Sequence, residues 1–300
     1  MKSAESSIAI NETRGRTMGA VISELIKARL TMLVLVTTLA GFFMGSTAGS
    51  FDFILLFHTM VGTAFLAAGA AALNQVMERE FDARMDRTSS RPLPSGEIRP
   101  DVALVFGGVV SIAGMVYTAM LVNTLTALIG AVTLGSYLFI YTPLKRITAF
   151  NTIIGAIPGA LPPLMGWTAV QNNIDAKGWS LFAILFFWQL PHFLAIAWMY
   201  RDDYAKAGFV MLPKVDPDGF RTGSQAVNHT IGLLFVSLFP VVLGLAGKGY
   251  FGAALLLGVF FLRCAFRFSG QRNEVSAKKL FLASIVYLPV LLLAMAFDKI

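Results

Sequence analysis

The sequence predicts an all-α integral membrane protein with nine transmembrane helices, and three observations carry that prediction. The first is composition: 56% of the 300 residues are hydrophobic and 14% charged, against about 25% charged in soluble domains. Mean hydropathy is +0.69. The second is length: apolar stretches recur at about twenty residues, enough for a helix to cross about 30 Å of hydrocarbon. A β-barrel would instead show alternating segments of about ten residues. The third is charge placement. With spans drawn at about 29–48, 53–77, 101–121, 124–142, 150–170, 179–199, 228–246, 250–268 and 280–297, only Lys177, Lys248 and Lys299 of the 24 Lys and Arg residues follow an odd-numbered span. The other cations lie in the N-terminal tail, at the start of span one (Arg29), towards the end of span eight (Arg263, Arg267) or after even-numbered spans. This asymmetry puts the N-terminus in the cytoplasm and the C-terminus outside, and losing one span would scramble it. The net charge of +7 therefore requires no nucleic-acid partner. A single cysteine, Cys264, excludes an internal disulfide or a cysteine metal cluster.

In chain order, residues 1–26 form a cytoplasmic tail, expected to be partly disordered. Glu5 and Glu12, with no apolar core before Arg14, fit neither a cleaved signal peptide nor an acid-poor transit peptide. Residues 27–300 form one transmembrane domain. Its two long cytoplasmic loops, 78–100 and 200–227, each open with acids and lie four spans apart. That spacing suggests two related four-helix halves facing one cavity, with span nine appended.

The most informative stretch ends span two. Asn74, Glu78, Asp82 and Asp86 recur every four residues, one slowly drifting stripe on a helix. Arg79, Arg84, Arg87 and Arg91 are interleaved. Carboxylates holding Mg²⁺, flanked by arginines, would grip a diphosphate. Taken alone, the stretch also fits a solvated, salt-bridged helix end. Pro143 is expected to stop span four, leaving Lys145 and Arg146 in the same cytoplasmic layer, where they also read as a positive-inside anchor. Residues 151–167 hold three prolines and three glycines in one apolar span. They suggest a broken helix lining a cavity or a kink used for packing. In span six, Trp188-Gln189-Leu-Pro191-His192 places polar groups inside the membrane, a functional site by default or a hydrogen-bonded structural histidine. His192 and Asp203 are eleven residues apart and return to one helical face, so His192 is expected deep in the cavity whose mouth Asp203 guards. Asp202, Asp203 and Lys206 open the second loop. Val215 to Gly219 reads as a turn, and neither His58 nor His229 takes a role. No Walker loop, H-E-x-x-H or Gly-x-Ser-x-Gly motif is present.

With these residues in view, the chain resembles the UbiA superfamily of intramembrane prenyltransferases, and within it the branch that farnesylates heme. The resemblance runs from about Lys27 to Leu293. It rests on Asn74-x3-Glu78-x3-Asp82, Arg91-Pro92-Leu93-Pro94-Ser-Gly96, Tyr141 through Arg146, Asn151 through Trp167, Trp188 through Phe193, Trp198 through Tyr204, Met211-Leu-Pro213 and Lys279 through Pro289. It implies nine helices around a central cavity and transfer of farnesyl from farnesyl diphosphate to a vinyl group of heme B, with water taken up, giving heme O.

The resemblance also implies roles. Asn74, Glu78 and Asp82 hold Mg²⁺, joined by Asp202 and Asp203 from a second motif that is incomplete because position 199 is Met. Arg87, Arg91, Lys145, Arg146 and Lys206 bind diphosphate; Asn74, Glu78, Asp82, Lys145 and Asp203 carry catalysis. His192, Trp188 and Gln189 contact heme, and Phe186, Phe187, Trp188 and Phe193 are candidates to shelter the farnesyl cation. The expected setting is a bacterial cytoplasmic (inner) membrane, with membrane lipid as surroundings and a heme A synthase or terminal oxidase assembly as partner. The alternatives are prenylation of a quinone precursor or chlorophyllide, and a secondary transporter with broken helices. A transporter should carry charge near mid-bilayer, whereas these acids gather at one face.

Overall fold

A computed structural model describes residues 16–47, 49 and 51–300. The part of the expected tail at residues 1–15 lies outside the described residues. Among the described residues, nine helices are long and apolar enough to cross a membrane, and each coincides with one expected span. A short helix, α1 (Met18–Leu25), precedes them. The spans are α2 (Ala28–Gly45), α3 (Phe53–Asp82), α4 (Pro100–Leu121), α5 (Thr124–Leu144), α6 (Asn151–Gln171) and α7 (Ala176–Met199). Two short helices, α8 (Arg201–Lys206) and α9 (Leu212–Val215), lie in the long connection after α7. Then follow α10 (Phe220–Val236), a short turn of helix at Phe239–Val242, α11 (Lys248–Gln271) and α12 (Glu274–Phe297).

Helix ends are set by local chemistry. Asp52, Asn123 and Asp175 each accept a hydrogen bond from the backbone N–H three residues on, at 2.9, 2.8 and 2.9 Å. Such caps satisfy donors that a helix leaves free. Two boundaries differ from expectation for the same reason. Thr17 caps α1, so residues 18–25 of the expected tail are helical. Asp216 Oδ2 accepts both the N–H and the hydroxyl of Thr222, at 2.7 and 2.8 Å. This starts α10 at Phe220, eight residues ahead of the apolar run that marked span seven.

Residues 151–171 are not broken. They form one continuous helix with Pro158, Pro162 and Pro163 inside it. This α6 is among the most enclosed spans, 67% buried, and its small residues serve close packing. A Cβ at Gly41 on α2 would lie 1.9 Å from the Pro163 carbonyl oxygen, and one at Gly166 would lie 1.9 Å from that of Thr38. Only glycine lets the two backbones approach this far, as in small-residue packing of membrane helices. The irregularity sits instead in α5, where Ser136–Tyr141 is a π-helical stretch. Pro143 does not stop the helix, which continues to Leu144. Thr142 Oγ1 donates to the Tyr137 carbonyl at 2.9 Å, and this wider turn is a feature often found beside functional sites.

Candidate active site

Because α3 runs 30 residues, to Asp82, its polar end is an integral part of the bundle rather than a surface loop. Asn74, Glu78 and Asp82 are 0%, 4% and 1% exposed, which excludes the solvated helix end. Each is bound to a cation from a different part of the chain. Lys27 Nζ donates to Asn74 Oδ1 at 2.7 Å, Lys145 Nζ to Glu78 Oε1 at 2.8 Å, and Arg91 Nη1 to Asp82 Oδ2 at 2.7 Å. Asn74 Nδ2 in turn donates to Thr142 Oγ1 at 3.1 Å, tying the stripe to the π-helical turn.

These groups surround a cavity of about 90 Å³ lined by Glu78, Asp82, Lys27, Arg87, Arg91 and Lys145. Met85, Tyr141, Tyr204, Phe209 and Met211 complete its wall. Local contacts fix the cations. Lys145 lies over the Tyr141 ring at 4.6 Å, and Arg87 donates to the Tyr204 hydroxyl at 3.1 Å. Thr88 Oγ1 donates to the Asp82 carbonyl at 2.8 Å and so folds the following loop back onto the helix. A seam joins the α5–α6 connection to the segment after α8: Val210 N–H donates to the Lys145 carbonyl at 2.7 Å, and Asn151 Nδ2 donates to the Val210 carbonyl at 2.7 Å.

The two lysines are shifted in opposite directions. Burial, followed by the nearby Arg91 guanidinium, pushes the Lys27 pKa down to about 7. Burial also acts to lower that of Lys145, but the Glu78 carboxylate outweighs it and holds Lys145 above the ordinary lysine value.

The sequence assigns Lys27 no role in the site. A left-handed backbone at φ 47° between α1 and α2 sets its ammonium on the stripe, and no sequence signal distinguishes that from an ordinary flanking lysine. Tyr141, Tyr204 and Phe209 were likewise missed as lining rings.

Other expected residues are placed elsewhere. Asp203 accepts the backbone N–H groups of Asp86 and Arg87, both at 3.4 Å, and so positions that loop. Asp202 is exposed and does not line the cavity. Lys206 pairs with the exposed Asp86 at 3.0 Å outside it, and Arg146 lies over the Phe81 ring at 4.5 Å. His192 does not reach the cavity, because its face of α7 packs on α12. His192 Nδ1 and Ser284 Oγ are 2.7 Å apart, and Trp188 Nε1 donates to the Ser284 carbonyl at 2.8 Å. Gln189 Nε2 donates to the Ala156 carbonyl of α6 at 2.7 Å. Phe186, Phe187 and Phe193 also lie outside the cavity wall.

The donor set suits a hard divalent cation. Glu78 and Asp82 each commit one oxygen to a cation, leaving the other, and both line the cavity. Among the described residues no three His, Cys, Asp or Glu side chains converge to cage an ion unaided. A divalent ion held here would complete its shell with waters and substrate phosphates.

Fold and site together define a multi-pass membrane protein with a buried acid-and-cation site at one end of its helical bundle. The chain belongs to the UbiA prenyltransferase family, which it matches over residues 34–288. It is 48% identical over 284 residues to the protoheme IX farnesyltransferase of Solibacter usitatus (strain Ellin6076), covering 92% of this chain and 97% of the relative. It is 43% identical over 286 residues to that of Koribacter versatilis (strain Ellin345), covering 92% of each. Among solved structures, the fold is similar to that of a digeranylgeranylglyceryl phosphate synthase, with a TM-score of 0.79 at 18% identity, covering 93% of this chain and 97% of the other. A UbiA homolog from Archaeoglobus fulgidus bound to GPP and Mg²⁺ matches with a TM-score of 0.68 at 14% identity, covering 92% and 99%.

Proposed function

We propose that this protein transfers the farnesyl group of farnesyl diphosphate to a vinyl group of heme B, with water taken up, to give heme O and diphosphate. The observation that carries the reading is the pair of buried carboxylates ringed by Lys27, Arg87, Arg91 and Lys145. The activity for which relatives at 43–48% identity are named supports the choice of acceptor.

In this reading Asn74, Glu78 and Asp82 hold Mg²⁺, which would supply Lewis-acid neutralisation of the leaving diphosphate. Lys145, Arg91 and Arg87 turn from their resting partners to the phosphate oxygens, fixed cations placed where negative charge develops. Asp203 keeps Arg87 in place by holding the amides of its loop. As the allylic C–O bond breaks, its electron pair leaves on diphosphate. The vinyl carbon of the porphyrin attacks the allylic cation, and the resulting porphyrin-stabilised cation takes water and releases a proton. Deprotonation of the acceptor is not needed, consistent with a cavity whose lining groups are cations and paired carboxylates. The faces of Tyr141, Tyr204 and Phe209 favour nearby positive charge.

The protein resides in a bacterial cytoplasmic membrane with its N-terminus and the acid-bearing end of the bundle in the cytoplasm, a placement supported by the Lys and Arg asymmetry. Its product passes to a heme A synthase or to terminal oxidase assembly.

The test is product analysis. Membranes containing the protein are incubated with heme B, farnesyl diphosphate and Mg²⁺, with and without EDTA, and the extracted hemes are resolved by chromatography and mass. The expected product is heavier by farnesyl plus water, and it is absent with EDTA and in Asp82→Ala. Prenylation of a phenolic or quinone precursor in its place would refute the heme reading.

A further inference from the structure

A second and larger hollow, about 420 Å³, opens between the start of α6, the cytoplasmic half of α7, α9 and the first turns of α10. Its volume falls within the range of about 300–1,000 Å³ typical of small-ligand sites. Leu190 and Leu194 form part of an apolar wall, and one ridge of α10 supplies polar groups: Arg221, Gln225 and His229, four residues apart. The ridge places the imidazole about 12 Å along the helix axis from the guanidinium-bearing residue. The hollow adjoins the acid-and-cation cavity, because Met211 lines the cavity and the next residue, Leu212, lines the hollow.

The chain has three histidines, and they are not equivalent. His58 Nδ1 is bound to the Tyr117 hydroxyl at 2.7 Å and His192 Nδ1 to Ser284 at 2.7 Å. His229 touches the Phe187 ring, with centroids 6.2 Å apart, and among the described residues neither of its nitrogens has a hydrogen-bond partner. Arg221 and Gln225 also lack partners there. An imidazole whose nitrogens have no partner among the described residues, in a mostly apolar hollow, is available to ligate a metal. An unpaired guanidinium at the aqueous end of the same ridge suits a carboxylate. A flat apolar ligand with a central metal and carboxylates on one edge meets all three features at once.

We propose that this hollow binds the iron porphyrin, with His229 as an axial ligand and Arg221 paired with a propionate. The proposal rests on the heme reading above. It assigns the porphyrin a seat separated by one segment of chain from the diphosphate cavity, and it uses a histidine other than His192.

The test is titration of the full-length protein, in phosphatidylcholine nanodiscs, with ferric heme B followed by Soret absorption. The expected result is an imidazole-type shift that His229→Ala abolishes with at least a tenfold loss of affinity, and that added imidazole restores. His229→Gln, which keeps size and polarity, should behave as His229→Ala. Arg221→Ala should weaken binding severalfold while leaving the band position unchanged, and His192→Ala should keep the shift. A titration unchanged in His229→Ala and His229→Gln, or a shift lost only in His192→Ala, would overturn the assignment. So would unchanged heme titrations combined with loss of a co-purified anionic phospholipid in Arg221→Ala, which would make the hollow a lipid site. Heme O formation is measured on the same preparations. Absence of product alongside a His229-dependent spectrum would refute farnesyl transfer and leave this porphyrin site standing.

Discussion

Replacing Lys145 with methionine keeps the side chain's length and removes its charge. The Lys145 and Glu78 side chains are 16% and 5% exposed and 2.8 Å apart. At an effective dielectric of about 20, that separation corresponds to about 6 kcal/mol of attraction, set against several kcal/mol of desolvation for each ion. Taking away one partner strands the other, at a typical cost of about 3–5 kcal/mol. Lys27 also acts electrostatically on Glu78, which moves the expected loss for Lys145→Met to the low end, about 3 kcal/mol. Adding Glu78→Gln removes the stranded charge, so the double variant should regain most of that stability. Activity should not follow. Both the single and double variants should form heme O at least about 100-fold more slowly, the usual cost of deleting one fixed transition-state charge. Thermal unfolding in detergent, followed by size exclusion, reads stability; heme chromatography reads turnover. A Lys145→Met protein as stable as wild type would refute the pairing argument. So would a double variant no more stable than the single.

Gly41→Ala should cost about 1–3 kcal/mol or prevent folding, since its Cβ would meet the Pro163 carbonyl; Gly19→Ala, with nothing within 4 Å, serves as a neutral control in the same melting assay. EDTA should abolish heme O formation yet leave the melting temperature unchanged, because each acid of the stripe already has a protein cation, and Mg²⁺ should restore activity. Thr142→Val removes both the acceptor of Asn74 Nδ2 and a donor to the Tyr137 carbonyl. A stability loss of about 1–3 kcal/mol, with reduced turnover, is expected from melting and product assays.

The nine spans were legible because each needs about twenty apolar residues whatever its neighbours do, and because loop cations alternate with the spans. The stripe Asn74, Glu78, Asp82 was legible because helical spacing alone sets its face. Partnerships were not. Lys27 reaches Asn74 from 47 residues away, and a flanking lysine carries no mark of such a contact. Pro158, Pro162 and Pro163 misled because sequence shows the lost donors but not the continuous helix that Gly41 and Gly166 let pack closely against α2. His192 was set on the right helix and the wrong face: an eleven-residue return aligns it with Asp203, but Arg201–Lys206 forms a separate helix after Met199, and the alignment does not carry across the junction. The start of α10 was hidden because a capping aspartate, rather than hydrophobicity, begins it.

If the proposed function holds, the resting acid–cation pairs would make donor and metal mutually dependent. A prenyl diphosphate arriving alone would draw Lys145 and Arg91 away and leave Glu78 and Asp82 bare beside a polyanion. A divalent ion arriving alone on the free carboxylate oxygens would add positive charge beside the same cations in a buried site, with no anion to balance it. Together they exchange partners, metal to carboxylates and lysine and arginine to phosphates, and no enclosed charge is left single. In the proposed reading each would therefore tighten the binding of the other by the same factor. In that reading the fold would recognise the metal–diphosphate complex as one species, and metal-free diphosphate would compete poorly for the site.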